Sequence, residues 1–301
     1  MKKSKAVFFL LRIPFLTVTL GAVFLGTALA WWQEKEFDPG FFVLALLGAS
    51  FLHIACNVAN DYFDFKSGND AANRSGLVPF SGGSRMILDG FVAPREALII
   101  SFVFAFLGSA IGLYLNASMK GNVIFFIGLA ALLFVYGYNG FPLRLVDKGL
   151  GELAIFLAWG PLMVLGAYYV QAESLSIWPL IASFTSGFMT TLVLLINEFA
   201  DRDADLSSGR KTWVILFGYK NSLIIYLFLA VMCYVIVLLG VLLGGWPMWS
   251  LLVFVTLPLP FKAFKEAMGN LGNWPQFLPA VKATVLMNFA FLIILSVSLF
   301  V

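Results

Sequence analysis

Residues 40–70 read GFFVLALLGASFLHIACNVANDYFDFKSGND, an apolar run that closes on amides and carboxylates. A bilayer core of about 30 Å takes about 20 helical residues, and the stretch from 40 to 63 supplies them. A helix continued from it carries Asn57, Asn60, Asp61 and Asp64 on one face, because offsets of three and four residues stack along a helix. Gly68 then permits a turn that folds Asp70 back toward that face. The stretch reads as a membrane crossing with chemistry at its end.

Eight further apolar runs lie near residues 8–31, 93–116, 121–140, 150–171, 178–199, 220–243, 246–265 and 280–300. Composition agrees with them: 61% of the 301 residues are hydrophobic and only 12% charged, against about 25% in average proteins. A soluble enzyme, a disordered tail, a secreted disulfide scaffold and a nucleic-acid binder are excluded. The expectation is an all-α membrane protein of nine transmembrane helices, a single domain over 1–301. The first run follows Met-Lys-Lys-Ser-Lys and is too long for a cleavable signal peptide, so it is read as a crossing. Cys56 and Cys233 each sit inside an apolar run, which predicts buried thiols and no disulfide framework.

With a cytoplasmic amino terminus, 17 of the 19 basic residues fall on the cytoplasmic side, leaving only Lys35 and Lys120 opposite. That is the positive-inside pattern, and it predicts an outward carboxyl terminus and cytoplasmic access to any site; the membrane is expected to be the cell inner membrane. Twelve of the 16 acidic residues share the same side. Orientation does not demand this, so something there uses carboxylates.

The second acidic cluster closes the sixth run: Asn197-Glu198-Phe-Ala-Asp201-Arg202-Asp203-Ala-Asp205, with Asn197, Asp201 and Asp205 every four residues on one face. It begins 140 residues after the first and opens to the same side. This suggests a parallel duplication, with halves of about 1–140 and 141–270 and one helix left over.

Carboxylates converging in low dielectric need a cation. Oxygen donors without nearby His or Cys pairs select a hard ion, Mg²⁺ before Ca²⁺, and Mg²⁺ with open positions holds a diphosphate. Lys66, Arg74 and Arg85 follow the first cluster, and Arg202, Arg210 and Lys211 the second, where they would clamp the outer phosphate oxygens. A single acid near a helix end, such as Asp89 or Asp203, is usually a cap, but two matched faces exceed that reading. Asp201-x-Asp203-x-Asp205 also imitates a calcium loop, yet Leu206 and Thr212 stand where such a loop needs Gly and Glu. His53, one turn before Asn57, is read as a core histidine.

Two loops face the clusters. Gly140 and Pro142 break the chain between the fourth and fifth runs, presenting Tyr138, Asn139 and Arg144, either to close the site or as an ordinary turn. Pro79-Phe-Ser-Gly-Gly-Ser84-Arg85 lies in a connection too long to be a simple linker and is read as a lid or substrate contact, with Arg74 and Asp61 beside it.

Asn60-x₃-Asp64-x₅-Asp70 with Asn197-x₃-Asp201-x₃-Asp205, on the second and sixth of nine runs, resembles the UbiA-type intramembrane prenyltransferases. The resemblance spans nearly the whole chain. Asn-Asp-Tyr-Phe-Asp-Phe-Lys-Ser-Gly at 60–68, Gly-Gly-Ser-Arg at 82–85, Gly-Leu-Gly-Glu at 149–152 and Asn-Glu-Phe at 197–199 are most similar to the 1,4-dihydroxy-2-naphthoate branch of menaquinone synthesis. Tyr138-Asn139 stands where that branch commonly has Tyr-Thr.

The resemblance implies a bundle around a central cavity, with Mg²⁺ held by Asp64, Asp70, Asp201 and Asp205, and Asn57, Asn60 and Asn197 orienting metal-bound groups. It implies a polyprenyl diphosphate donor entering from membrane lipid, Lys211 and Arg144 on phosphate, and Tyr138 on the acceptor or the allylic cation. The aromatic acceptor would be 1,4-dihydroxy-2-naphthoate, losing CO₂. Rival readings are another acceptor (hydroxybenzoate, homogentisate, glycerol phosphate), a terpene cyclase, or a transporter. Transporters place polar groups near the bilayer midplane, whereas these clusters lie at helix ends.

Overall fold

The computed structural model describes residues 3–77 and 80–301. Among them, nine apolar helices build the body: α1 (Lys3–Glu34), α2 (Pro39–Ser67), α3 (Pro94–Ser118), α4 (Val123–Gly137), α5 (Gly151–Ala172), α6 (Ile177–Ser207), α7 (Trp213–Leu242), α8 (Met248–Gly269) and α9 (Trp274–Ser298). Eight are long and apolar enough to cross a membrane, and α4 is shorter. No strand occurs among the described residues. The expected nine-helix, all-α architecture is the one observed.

Helix ends follow local chemistry. Asp38 caps α2 by accepting from the Phe41 N–H at 2.8 Å, with Pro39 in the first turn where its missing donor costs nothing. Gly68 ends α2 in the left-handed conformation (φ 80°), and a short turn over Asn69–Ala72 carries Asp70 back, as the sequence suggests. Within α1 the helix breaks at Arg12 (φ 50°), ahead of Pro14. Proline cannot donate to the preceding turn, so the break frees Arg12 to reach sideways into the protein.

α6 is the most enclosed helix and forms the axis, with Leu192, Leu195, Ile196 and Phe199 fully buried and α1, α5, α7 and α9 around it. Small residues let the backbones close. A Cβ on Gly160 of α5 would meet the Ser183 carbonyl of α6 at 2.8 Å, and one on Gly26 of α1 would meet the Val164 carbonyl of α5 at 2.3 Å. Hydroxyls on α6 bond back to their own helix, Thr190 to the Ser186 carbonyl and Thr191 to the Gly187 carbonyl, each at 2.9 Å. They therefore enter the apolar interior without an unmet donor.

Several boundaries differ from the apolar runs. α2 and α6 continue to Ser67 and Ser207, past the hydrophobic ends near 63 and 199, because their acid faces keep helical spacing after the hydrophobicity stops. α7 begins at Trp213, earlier than expected, and is interrupted at Gly218 (φ 75°). α4 ends at Gly137, before the break at Gly140. Both cysteines are free, Cys233 buried and Cys56 half-buried. Of the residues the sequence singles out, Lys2 and Pro79 lie outside the described residues.

Candidate active site

The acidic ends of α2 and α6 face each other across a polar cavity of about 180 Å³. Asp64, Asp201 and Asp205 are each held by a group from another segment. Asn69, just past α2, donates to Asp205 at 2.9 Å, and Asn73 donates to Asp201 at 2.7 Å. Arg210, just past α6, ion-pairs with Asp64 and reaches Asp205 at 3.0 Å. Asn139, from the break after α4, donates to Asp64 at 2.7 Å and also bonds Asn60. These bonds cross between the clusters, so neither helix end is positioned alone.

The glycine loop roofs the cavity. Gly82 and Gly83 both have positive φ (77° and 70°), which lets their backbone lie flat on the acids. The Gly82 N–H donates to Asp201 at 3.3 Å, while the Ser84 hydroxyl and N–H both donate to Asp61. Asp61 is also ion-paired with Arg12, so it fastens the loop to α1 and α2 at once.

Five carboxylates line this cavity (Asp64, Asp70, Glu198, Asp201, Asp205) against two guanidinium groups (Arg12, Arg210). Burial, with Asp64 and Asp61 nearby, pushes the Asp70 carboxyl up to about 8. Among the described residues, no three His, Cys, Asp or Glu side chains converge as a metal-ligating group. Amides and Arg210 interleave the acids instead. The donor set still fits Mg²⁺, which is usually held by one or two carboxylates plus phosphate oxygens. It is all hard oxygen with excess negative charge, and the Asn197 side-chain oxygen is buried there without a partner among the described residues.

A second cavity of about 310 Å³ runs between α2, α3, α4 and α5, walled by apolar side chains. His53, Cys56, Tyr138, Ile155 and Trp159 border both cavities, so the polar and apolar spaces adjoin. His53 is the core histidine expected, its Nδ1 at 2.7 Å from the Thr19 hydroxyl.

Residues 19–292 match the UbiA prenyltransferase family. The chain belongs to that family. It is 28% identical over 287 residues to a 1,4-dihydroxy-2-naphthoate octaprenyltransferase of Bacillus subtilis (strain 168), covering 95% of this chain and 89% of that protein. It is 30% identical over 295 residues to the enzyme of the same description from Escherichia coli (strain K12), covering 94% and 92%. Among solved structures, a UbiA homolog from Archaeoglobus fulgidus bound to DMAPP and Mg²⁺ superimposes with a TM-score of 0.67 at 17% identity, covering 96% of this chain and 98% of that one. This UbiA-family protein is therefore a prenyltransferase and a multi-pass integral membrane protein.

Within the family fold, Asn57, Asn60, Asp64, Asp70, Tyr138, Asn197, Asp201, Asp205 and Arg210 all line the polar cavity, as the sequence anticipates. Burial and the adjacent Glu198 hold the Tyr138 phenol protonated well above its usual range. The structure does not bring the other basic residues to the wall. Lys66 is exposed and lies over the Tyr62 ring, Arg74 and Lys211 are exposed, and Arg202 stacks on Tyr219. Arg144 pairs with Asp147 at 2.6 Å, and Arg85 reaches the Asn73 carbonyl at 3.4 Å and Asp89 at 3.8 Å.

Sequence reading missed Arg12, Asn69, Asn73 and Glu152. Arg12 had a usable signal, a charge inside an apolar run, which in membrane helices marks function or a buried partner. Glu152 is fully buried and accepts from the Trp213 N–H, and only the folded chain reveals this.

Proposed function

We propose that the protein transfers a polyprenyl group from a polyprenyl diphosphate to 1,4-dihydroxy-2-naphthoate, releasing diphosphate and CO₂ and forming a demethylmenaquinol, the reduced form of the demethylmenaquinone. The observation that carries this reading is the junction of an acid-lined polar cavity with an apolar one at Tyr138. A diphosphate belongs in the first and an isoprenoid chain in the second. The naphthoate enzymes among the relatives support the acceptor.

Asp64, Asp70, Asp201 and Asp205, with Asn60, are the proposed ligands of Mg²⁺. Bound there, the ion would neutralise the diphosphate and stabilise it as a leaving group. Arg210 binds its outer oxygens, the Asn57 side-chain N–H, without a partner among the described residues, donates to it, and the Asn197 side-chain oxygen, likewise unpartnered there, orients metal-bound groups. The exposed Lys66, Arg74, Arg144 and Lys211 remain candidates for drawing the anionic donor to the mouth. The apolar cavity takes the first part of the prenyl chain, sparing about 0.8 kcal/mol per CH₂ that would otherwise meet water. Tyr138, at the junction, offers its ring face to the positive charge that develops on the allylic carbon. The acceptor enters beneath the glycine loop, where Ser84, Arg85 and Asp61 hold the roof. The distribution of basic residues supports a cytoplasmic opening in the cell's inner membrane.

The test is to incubate the purified protein with Mg²⁺ and geranylgeranyl diphosphate against a panel of aromatic acids, identifying products by mass. Prenylated naphthoate lacking its carboxyl group is the expected product. Transfer to hydroxybenzoate or homogentisate alone, or donor cyclisation without an acceptor, contradicts the reading.

A further inference from the structure

Arg210 joins the two halves of the polar cavity through a single side chain. Its guanidinium pairs with Asp64 of α2 and, at 3.0 Å, with Asp205 of α6, and all three groups are largely buried. In such a setting an ion pair is screened little, and parting it without a replacement is costly. The other guanidinium in the wall, Arg12, is committed to Asp61. Arg210 is thus the cation that serves the acids on which the proposed metal depends.

Two features make that service exchangeable. The acids do not need Arg210 to stay in place, because Asn139 holds Asp64 at 2.7 Å and Asn69 holds Asp205 at 2.9 Å. Arg210 itself rides on the turn between α6 and α7, after Gly209 (φ 82°), and its long side chain can re-aim without moving either helix.

We infer that Arg210 competes with a divalent cation for Asp64 and Asp205, so that the cation binds tightly only together with a diphosphate. A bare cation must break the ion pair and strand a guanidinium in a buried site. A diphosphate gives the guanidinium fork a new anionic partner and removes that cost. The ligand this site takes is therefore the cation–diphosphate pair, and Arg210 is the binding residue that couples the two. The inference rests on the prenyl-transfer reading and adds the order in which its ligands are held.

The test compares wild type, Arg210→Gln and Arg210→Lys in detergent or nanodiscs. Two affinities are read: Mn²⁺ alone, by electron paramagnetic resonance, and geranylgeranyl S-thiolodiphosphate, a non-reacting donor, at saturating Mn²⁺. Removing the competitor should make Mn²⁺ alone bind about tenfold tighter or more in Arg210→Gln, while the thiolodiphosphate binds at least about tenfold weaker. Arg210→Lys, a point charge that cannot span both acids, should move both affinities the same way by less. An arginine that merely supports the fold would lower both affinities together. Mn²⁺ binding that is unchanged or weaker in a folded Arg210→Gln overturns the inference, and should that variant not fold, the same result in Arg210→Lys does so. Wild type that binds neither ligand overturns the prenyl-transfer reading and this inference with it, whereas wild type that binds both leaves that reading standing whatever the variants do.

Discussion

The polar and apolar cavities share a wall but are held in opposite ways. Around the polar one, Asp64, Asp201 and Asp205 are each fixed by hydrogen bonds from other segments, and the loop above them needs two positive-φ glycines. Around the apolar one, Gly112 and Gly128 leave open space, with nothing within 4 Å of where a Cβ would stand. A cavity that carries chemistry must fix charges to within tenths of an ångström. One that carries a chain of repeating apolar units needs only room and dryness. Substitutions should therefore be punished in the first and reshape preference in the second.

The largest effect expected is on catalysis. Asp64→Asn or Asp201→Asn should cut Mg²⁺-dependent turnover by on the order of a hundredfold or more, with the protein still folded by circular dichroism. Near-normal turnover in either variant removes that acid from the site.

Next in size is stability. Arg12→Ala leaves Asp61 buried and unpaired, a loss of about 3–5 kcal/mol for a pair of this kind, measurable as a lower melting temperature. Arg12→Ala combined with Asp61→Asn should recover much of it, because the stranded charge is gone. If the double variant is no more stable than the single one, the pair does not act as described.

In the apolar cavity, Gly128→Trp should raise the KM for long donors by about tenfold or more while sparing dimethylallyl diphosphate, since filling a hydrophobic pocket discriminates by tens to hundreds of fold. Equal losses for short and long donors would show that the chain does not lie there.

The smallest effect concerns pH. Asp70 is pushed up to about 8, so its neutral form is favoured in the folded protein. The stability this contributes is complete below the ordinary carboxylate range and declines as pH rises through about 8. Metal-free protein should show a modest fall in melting temperature over that window, and Asp70→Asn should flatten it. An unaltered slope in Asp70→Asn would assign the pH dependence elsewhere.

Legibility in the sequence followed the same division. Both acid faces could be read because they repeat at three and four residues on helices that the apolar runs had already located. Gly68 could be read because a left-handed turn is nearly its only use at a helix end. Of the expected basic clamp only Arg210 reaches the cavity wall, because closeness along a chain is not closeness in space once a helix has ended. Arg210 and Lys211 are adjacent, yet the Arg210 N–H bonds to the Asp205 carbonyl and the Lys211 N–H to the Val146 carbonyl. One side chain enters the cavity and the other is exposed. Asn69 and Asn73 were equally hidden, since their bonds to Asp205 and Asp201 span 136 and 128 residues of chain.

The account stands on both acid clusters serving one diphosphate. The most direct measurement is the affinity of geranylgeranyl S-thiolodiphosphate with saturating Mg²⁺ and with chelator, in wild type, Asp64→Asn and Asp201→Asn. Tight binding in wild type that chelator abolishes, and that either substitution alone abolishes, is the predicted result. Binding that survives chelator, or that one of the two variants retains at wild-type strength, contradicts it.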